Sequence, residues 1–160
     1  MSTTDTASAT QAAKPATVDM KLEVVTLPVS DIDRAKAFYQ SLGWRLDADF
    51  EFPGGGRVLQ FTPLHSECSI AFGENMTTAE PGSYKRLEMV VSDIEAARED
   101  LISRGVKVGE AFHRGPSGFE PGPDPDHRSY NSYATFNDPD GNEFLLQEVT
   151  TRLPGRLWED

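Results

Sequence analysis

The sequence has one cysteine, three histidines and no long apolar run, and each shortage excludes a class of protein. Cys68 alone cannot form an internal disulfide or a cysteine-built zinc site, and it fits a reducing compartment. No segment approaches the roughly 18 consecutive apolar residues of a membrane-spanning helix. Positive charge is also scarce, and the net charge of −11 repels nucleic-acid phosphates and anionic lipids. We therefore expect a cytoplasmic protein that binds neither nucleic acid nor membrane.

Both ends of the chain lack the apolar patterns of a folded core. Residues 1–19 are rich in Ser, Thr and Ala and have neither the apolar segment of a secretory signal nor the arginines of a transit peptide. We predict a disordered N-terminal tail there. Residues 151–160 are predicted to be a C-terminal tail, in which Leu157 and Trp158 are candidates for contact with a neighbouring molecule. A single domain is expected over 20–150, a length that can bury a core.

A repeat within the chain is the main signal of its architecture. The tetrapeptide Val-Ser-Asp-Ile occurs at 29–32 and again at 91–94. Each copy follows an extended apolar run and precedes apolar residues at helical spacing, which end at Gly43 and at Gly105. The Asp of each copy stands where an N-cap side chain would accept the free N–H groups of the first turn. A strand, a capped helix and a glycine stop are therefore predicted twice, in the same order.

Matching strands follow each helix, so the repeat extends to two βαβββ modules, at 20–75 and 84–150. The segments LQFTPLHSECSIAFG and YATFNDPDGNEFLLQ align as the last two strands of each module. The second module is longer because it contains a Pro/Gly-rich insertion, residues 113–128, whose composition opposes a helix or an interior strand. The alternative is a ferredoxin-like α+β domain in which the similarity is accidental.

The pattern V-S-D-I-x-x-A-x-x-F-Y, followed by Asp138-Pro139-Asp140-Gly141-Asn142, resembles the vicinal oxygen chelate superfamily. This superfamily includes glyoxalases, bleomycin-resistance proteins and dioxygenases. The resemblance covers about residues 21–149 and implies an α+β fold whose two sheets curl around a shared cup. Enzymes of the family usually bind a divalent metal in that cup and chelate the substrate through neighbouring oxygens.

The resemblance also implies four metal-ligand positions, and none of them holds a ligand. The two first-strand histidine positions are Val24 and Arg86, and the two fourth-strand carboxylate positions are Ile70 and Leu145. Aliphatic side chains offer no lone pair, and a guanidinium stays charged and does not ligate. No metal and no cofactor is therefore predicted. A metal held by the His and Asp residues of the insertion at 113–128 is the alternative.

Strand alternation assigns other residues to the cup face. Thr26, Glu88 and Gln147 share a face with the vacant ligand positions, inside an apolar lining of Val24, Ile70, Phe72 and Leu145. We predict Glu88 as a general base and Arg86 as the group that binds an oxygen anion, with Thr26 and Gln147 in substrate binding. In the alternative interpretation, Arg86 and Glu88 form an ion pair that only orders the strand.

The insertion supplies the remaining predicted substrate-binding residues. Long loops in compact domains are often lids or binding loops, so we predict that this one folds over the mouth of the cup. Such a lid would bring His113, Arg114, Phe119 and Arg128 to a ligand. A surface excursion and an arm that contacts a second subunit are the alternatives.

Three functions remain for a small-molecule partner. A metal-independent lyase or isomerase acting on a small oxygenated or aromatic compound receives a slight preference. A non-catalytic binding protein, like the bleomycin-resistance members, is the alternative. A metal-dependent lyase or dioxygenase with atypical ligands is the third. A homodimer is possible for each, and the fold alone does not decide between them.

Overall fold

The computed structural model describes residues 13–153 and confirms an α+β fold of two tandem modules. Module one comprises β1 (Val24–Thr26), α1 (Ile32–Ser41), β2 (Arg45–Glu51), β3 (Arg57–Thr62) and β4 (Ser69–Gly73). Module two comprises β5 (Leu87–Val91), α2 (Ile94–Ser103), β6 (Phe112–Gly115), β7 (Gly118–Pro121), β8 (Ser132–Asn137) and β9 (Glu143–Glu148). Residues 13–19 carry no helix or strand, whereas most of the predicted N-terminal tail and the residues Leu157 and Trp158 lie outside the described part.

The two sheets have related topologies. Sheet A has the strand order β1-β4-β3-β2, and sheet B has the order β5-β9-β8-β6-β7. In both, the first strand of the module pairs in parallel with the last, and the strands between them are antiparallel. Sheet B therefore repeats the pattern of sheet A and gains one strand, β7, at its outer edge.

Both helices begin and end as the repeat predicts. The carboxylate of Asp31 accepts the backbone N–H of Arg34 at 3.0 Å, and that of Asp93 accepts the N–H of Ala96 at 3.0 Å. Each side chain satisfies a donor that has no partner within its helix. Gly43 has a positive φ of 77°, which ends α1 at low steric cost. Within the described residues, no helix is long and apolar enough to cross a membrane.

The Pro/Gly-rich insertion forms a hairpin on the edge of sheet B. β6 and β7 pair antiparallel, and only β6 continues to pair with β8. Pro121 is the last residue of the outermost strand, β7. Its missing N–H removes no backbone hydrogen bond between strands at this edge. The prediction that the insertion contains no interior strand was wrong for β6, because His113 pairs with Glu120 on one side and with Ser132 on the other.

One aromatic core joins the two modules. The Tyr39 ring on α1 is fully buried and lies 5.6 Å from Phe72 of sheet A and 6.3 Å from Phe144 of sheet B, measured between ring centroids. Trp44 contacts both Tyr39 and Phe144. Because buried aromatic side chains contribute large apolar areas, these contacts hold the two modules against each other.

The strand register corrects one expectation about the faces of sheet A. Thr26 lies beside Ala71 in the parallel pair β1–β4, just as Glu88 lies beside Leu145 in β5–β9. Ala71 is therefore the counterpart of Leu145, and the prediction of Ile70 at that position was wrong by one residue. Since successive side chains of a strand point to opposite faces, Ile70 and Phe72 turn into the core instead of lining a cup.

A hydrogen-bond network at the turn between β8 and β9 also connects the modules. The buried Asp138 carboxylate accepts the Tyr39 hydroxyl and the Asn142 side-chain amide, both at 2.8 Å. The same Asn142 amide group donates to the Pro28 carbonyl at 2.9 Å. Burial, followed by the neighbouring Asp138 charge, raises the pKa of the Tyr39 phenol far above its usual range.

Asp140 of the same turn binds the start of α1. Its carboxylate accepts the Ser30 hydroxyl at 2.5 Å and lies 3.2 Å from the Arg34 guanidinium. Gly82 approaches this turn so closely that a Cβ there would lie 2.0 Å from the Asp140 carbonyl oxygen. A side chain at position 82 would therefore push the two modules apart.

Replacement of Tyr39 by Phe should lower the free energy of unfolding by about 1–3 kcal/mol, because buried Asp138 loses a donor that water cannot replace. Urea denaturation measures the change. Tyr84→Phe is the matched control, since the Tyr84 hydroxyl makes no hydrogen bond within residues 13–153. Equal stability losses in the two variants would contradict the role given to Asp138.

The stability of the protein at alkaline pH should reveal the same hydrogen bond between Tyr39 and Asp138. The folded protein holds the Tyr39 proton more tightly than the unfolded chain, so this contribution is complete below pH 10 and declines as the pH rises above it. The urea midpoint of the unmodified protein should therefore fall more between pH 8 and pH 11 than that of Tyr39→Phe. A parallel fall in both proteins would argue against this linkage.

Candidate functional site

One face of sheet B is left uncovered by the shared core. Phe144, Leu146 and Phe136 point into that core, so their strand neighbours point to the other side. We call this other side the open face. It carries Glu88, Val90, Phe112, Arg114, Phe119, Tyr133, Thr135, Leu145 and Gln147.

Three aromatic rings form a cluster on the open face, which we call the aromatic trio: Phe112, Phe119 and Tyr133. Phe112 stacks on Tyr133 with 5.4 Å between centroids, and Phe119 meets Phe112 edge-to-face at 5.5 Å. These are favourable geometries for aromatic contact. Phe119 is nevertheless 62% exposed, so much of its apolar surface remains free for another molecule.

The Arg114 guanidinium lies over the exposed ring of this trio, 5.0 Å from the Phe119 centroid. The Asn131 side chain holds the Arg114 backbone on both sides, accepting its N–H at 3.2 Å and donating to its carbonyl at 3.1 Å. No carboxylate among residues 13–153 pairs with this guanidinium. Arg114 thus presents a positioned and uncompensated positive charge beside the trio.

A loop that spans residues 122–131 adjoins the trio, and Asp124 organises it. The fully buried Asp124 carboxylate accepts the Asn131 amide and the Arg128 Nε, both at 2.7 Å. The Ser132 hydroxyl accepts the Asp124 backbone N–H at 2.8 Å. Hydrogen bonds from Asn131 and Arg128 hold the pKa of the Asp124 carboxyl well below its usual range.

Tyr130 of this loop adopts a strained backbone conformation at the edge of the open face. Its φ is +68°, a region that non-glycine residues rarely occupy. The conformation directs the Tyr130 carbonyl to the Tyr133 hydroxyl at 2.6 Å and to the Gln147 amide at 3.2 Å. Strained residues that persist in a well-connected loop often mark binding sites.

The two histidines of the insertion lie away from the trio. His113 is buried on the opposite face to Arg114, with Nδ1 2.7 Å from the Gly122 carbonyl oxygen and Nε2 3.4 Å from the Glu120 carboxylate. His127 contacts the buried Glu148 carboxylate at 3.1 Å. Of the residues predicted from the insertion, Arg114 and Phe119 therefore come together, Arg128 lies in the adjoining loop, and His113 is separated from them.

The predicted catalytic pair forms an ion pair in a largely exposed position. Arg86 Nε lies 3.7 Å from Glu88 Oε2, and the two side chains are 68% and 40% exposed. Arg86 precedes β5 and has a positive φ of 59°, so it does not follow the alternation of that strand. Glu88 does lie on the open face, beside Leu145.

The open face of sheet A carries both polar and apolar side chains, among them Thr26, Gln60, Val58 and the 61% exposed Phe50. Thr26 lies there beside Ala71, and no hydrogen bond or ion pair in the described part of the chain joins it to the predicted residues of sheet B. The Thr62 hydroxyl bonds to that of Ser69 at 2.7 Å and also to the Asp47 carboxylate. These contacts order β2, β3 and β4, and Phe50 stands on this face without the ring–ring contacts that join the trio on sheet B.

A surface depression of about 820 Å³ lies outside both open faces, between the start of α1 and the β2–β3 hairpin. Its lining includes Asp31, Asp33, Glu51, Arg57 and one ring, Phe52. Asp31 caps the helix, and Asp33 pairs with Arg57 at 2.7 Å. Because Asp31, Asp33 and Arg57 already have partners and the lining has a single ring, the depression is a weaker candidate than the trio.

The positions that the fold assigns to metal ligands do not fit a divalent metal. They carry Val24, Ala71, Arg86 and Leu145. Among residues 13–153 no group of three His, Cys, Asp or Glu side chains is arranged to bind a metal ion, and no buried side-chain polar atom lacks a hydrogen-bond partner. The donor chemistry that Zn²⁺ or a similar ion needs is missing at these positions.

Sequence reasoning missed half of the site. Phe112 and Tyr133 complete the trio, and Asn131 positions Arg114. A signal was available for Tyr133, because it alternates with the core residues Ala134 and Phe136 along β8. Its pairing with Phe112 across the insertion could not be read from alternation alone.

The family of the chain follows from a comparison with known proteins. Residues 21–146 match the profile described as Glyoxalase/Bleomycin resistance protein/Dioxygenase superfamily. The chain belongs to this superfamily. No curated protein matches it significantly.

Solved structures support the same assignment. TnmS3, described as an antibiotic binding protein from Streptomyces sp. CB03234, is 30% identical, covers 84% of this chain and 99% of its own, and has a TM-score of 0.65. A glyoxalase/bleomycin resistance protein from the same organism is 31% identical, covers 80% of this chain and 100% of its own, and has a TM-score of 0.61. A superfamily member from Sphaerobacter thermophilus DSM 20745 is 27% identical. It covers 81% of this chain and 98% of its own, and has a TM-score of 0.61.

Replacement of Asp124 by Ala should loosen the loop at 122–131, because Arg128, Asn131 and the Asp126 N–H lose a shared acceptor. Hydrogen exchange followed by mass spectrometry should show faster exchange in this loop. Asp126→Ala is the control, since the Asp126 side chain is exposed and the substitution keeps the backbone N–H that Asp124 accepts. Unchanged protection in Asp124→Ala would show that the carboxylate does not organise the loop.

Proposed function

We propose that the protein binds a small planar aromatic molecule on the open face of sheet B, without a metal and without covalent chemistry. The aromatic trio is the observation that supports this proposal. The rings around Tyr39 are buried in the core, whereas Phe119 of the trio is 62% exposed. Exposed apolar surface next to ordered polar groups is typical of a ligand site.

The surroundings of the trio suit a flat ligand. The rings of Phe112 and Tyr133 stack on each other with their planes 26° apart, and Phe119 beside them supplies the exposed ring surface. Gln147 lies beside Tyr133 on the same face, with its amide group fixed by the Tyr130 carbonyl. The apolar wall and a few fixed polar groups provide both contact area and orientation.

The same geometry favours binding over catalysis. Glu88 is exposed and paired with Arg86, whereas a catalytic carboxylate is usually buried and aimed at the substrate. His113 lies on the opposite face and is bonded to Gly122. The lyase or isomerase hypothesis, with Glu88 and Arg86 as its catalytic residues, therefore has less structural support than simple binding.

Relatives supply independent support. TnmS3 is described as an antibiotic binding protein, and a second similar structure is described as a glyoxalase/bleomycin resistance protein. A resistance role through sequestration of an aromatic compound is therefore the biological setting we favour. Homodimer formation and a cytoplasmic location remain predictions.

Replacement of Phe119 by Ala should weaken the binding of a flat aromatic probe, naphthalene-2-carboxylate, by about threefold to tenfold, because one stacking partner is lost. Isothermal titration calorimetry measures the affinity. Phe119→Trp should retain binding, and Phe52→Ala, which removes a similarly exposed ring at the other depression, should leave it unchanged.

Mass spectrometry of the recovered probe and of the protein tests the non-covalent part of the proposal, and both masses should be unchanged. If Phe52→Ala weakens binding while Phe119→Ala does not, the site is in the wrong place. Conversion of the probe by the protein would restore the catalytic hypothesis.

A further inference from the structure

We infer that the aromatic ligand carries an anionic oxygen group, a carboxylate or phenolate, which Arg114 binds with help from Arg128. This inference rests on the proposed function and specifies the class of ligand that the open face accepts. It starts from the Arg114 guanidinium, a positive charge on the open face that pairs with no carboxylate within the described residues.

A cavity next to the trio provides space for such a group. Its volume is about 530 Å³, and both Arg114 and Arg128 line it, together with Ser129, Tyr130 and Asn131. Arg114 contributes to both the cavity and the aromatic trio, since its guanidinium also lies 5.0 Å from the Phe119 ring centroid. A ring stacked on the trio would therefore place a substituent at the mouth of this cavity.

The charges around the cavity favour an anion. Arg114 has no carboxylate partner within the described residues, whereas Arg128 is bound through Nε to Asp124 and also feels the charge of exposed Asp126. Glu120, the carboxylate of β7, pairs with His113 on the opposite face of the hairpin. In a chain of net charge −11, this leaves a local uncompensated cation where a ligand would lie.

The Arg114 backbone is held in place by hydrogen bonds, and its guanidinium has one contact, with a ring of the trio. Asn131 binds its backbone on both sides, and the Phe119 ring supports its guanidinium. Asn131 is itself fixed by the buried Asp124 carboxylate at 2.7 Å. The planar guanidinium is thus presented beside the trio with its N–H donors free of carboxylates within the described residues, and it can bind a carboxylate with paired hydrogen bonds.

Three probes of nearly equal shape test the inference: naphthalene-2-carboxylate, its neutral carboxamide and 2-naphthylmethylammonium. By calorimetry at pH 7.5, the carboxylate should bind about tenfold more tightly than the carboxamide, and the cation should bind most weakly. Arg114→Gln should remove most of this preference while retaining binding of the carboxamide. Lys107→Gln, which removes the same charge from an exposed position away from the trio, should preserve the preference.

The two proposals fail in different ways. Equal affinities for the carboxylate and the carboxamide, or an unchanged preference in Arg114→Gln, would overturn the anion inference and leave the aromatic site intact. Affinities that do not respond to Phe119→Ala with any probe would overturn the aromatic site itself. A higher affinity for the ammonium probe than for the carboxylate would overturn the inference that the ligand is an anion.

Discussion

The two modules depend on one buried carboxylate, Asp138, at the turn between β8 and β9. Its partners come from both modules, the Tyr39 hydroxyl from α1 and the Asn142 amide from its own turn. A buried carboxylate without such donors would be costly, so the arrangement holds only while both modules remain in contact. The Tyr39 ring then lies in the shared core, where it contacts Phe72 of sheet A and Phe144 of sheet B.

The shared core decides which surfaces remain for a ligand. Both sheets use one face to pack against it, so the opposite faces are free. On sheet A this face has one exposed ring, Phe50, whereas on sheet B the added hairpin contributes Phe112, Phe119 and Arg114. The loop around Asp124 then fixes Asn131 and the strained Tyr130 at its border. An insertion into a repeated module has in this way produced the most distinctive surface of the molecule.

The chemistry of this surface differs from that of the metal-dependent enzymes with this fold. Three aliphatic side chains and Arg86 stand at the positions that would ligate a metal, and Glu88 on the open face is exposed and paired with Arg86. Stacking on the rings and charge pairing with the Arg114 guanidinium are the interactions that remain. Both can hold a ligand without transforming it. This arrangement agrees with a family in which similar structures include an antibiotic binding protein.

The sequence by itself determined the repeat, both helix caps and the lack of donors at Val24 and Leu145, because these depend on local spacing and side-chain chemistry. Only the tertiary structure decided to which face of its sheet each strand residue points. A shift of one residue in the alignment moved Ile70 from the predicted cup into the core, since side chains alternate along a strand. For the same reason His113 and Arg114, which are neighbours in sequence, lie on opposite sides of the sheet. The pairing of Phe112 with Tyr133 required strand contacts between distant segments, which no local pattern contains.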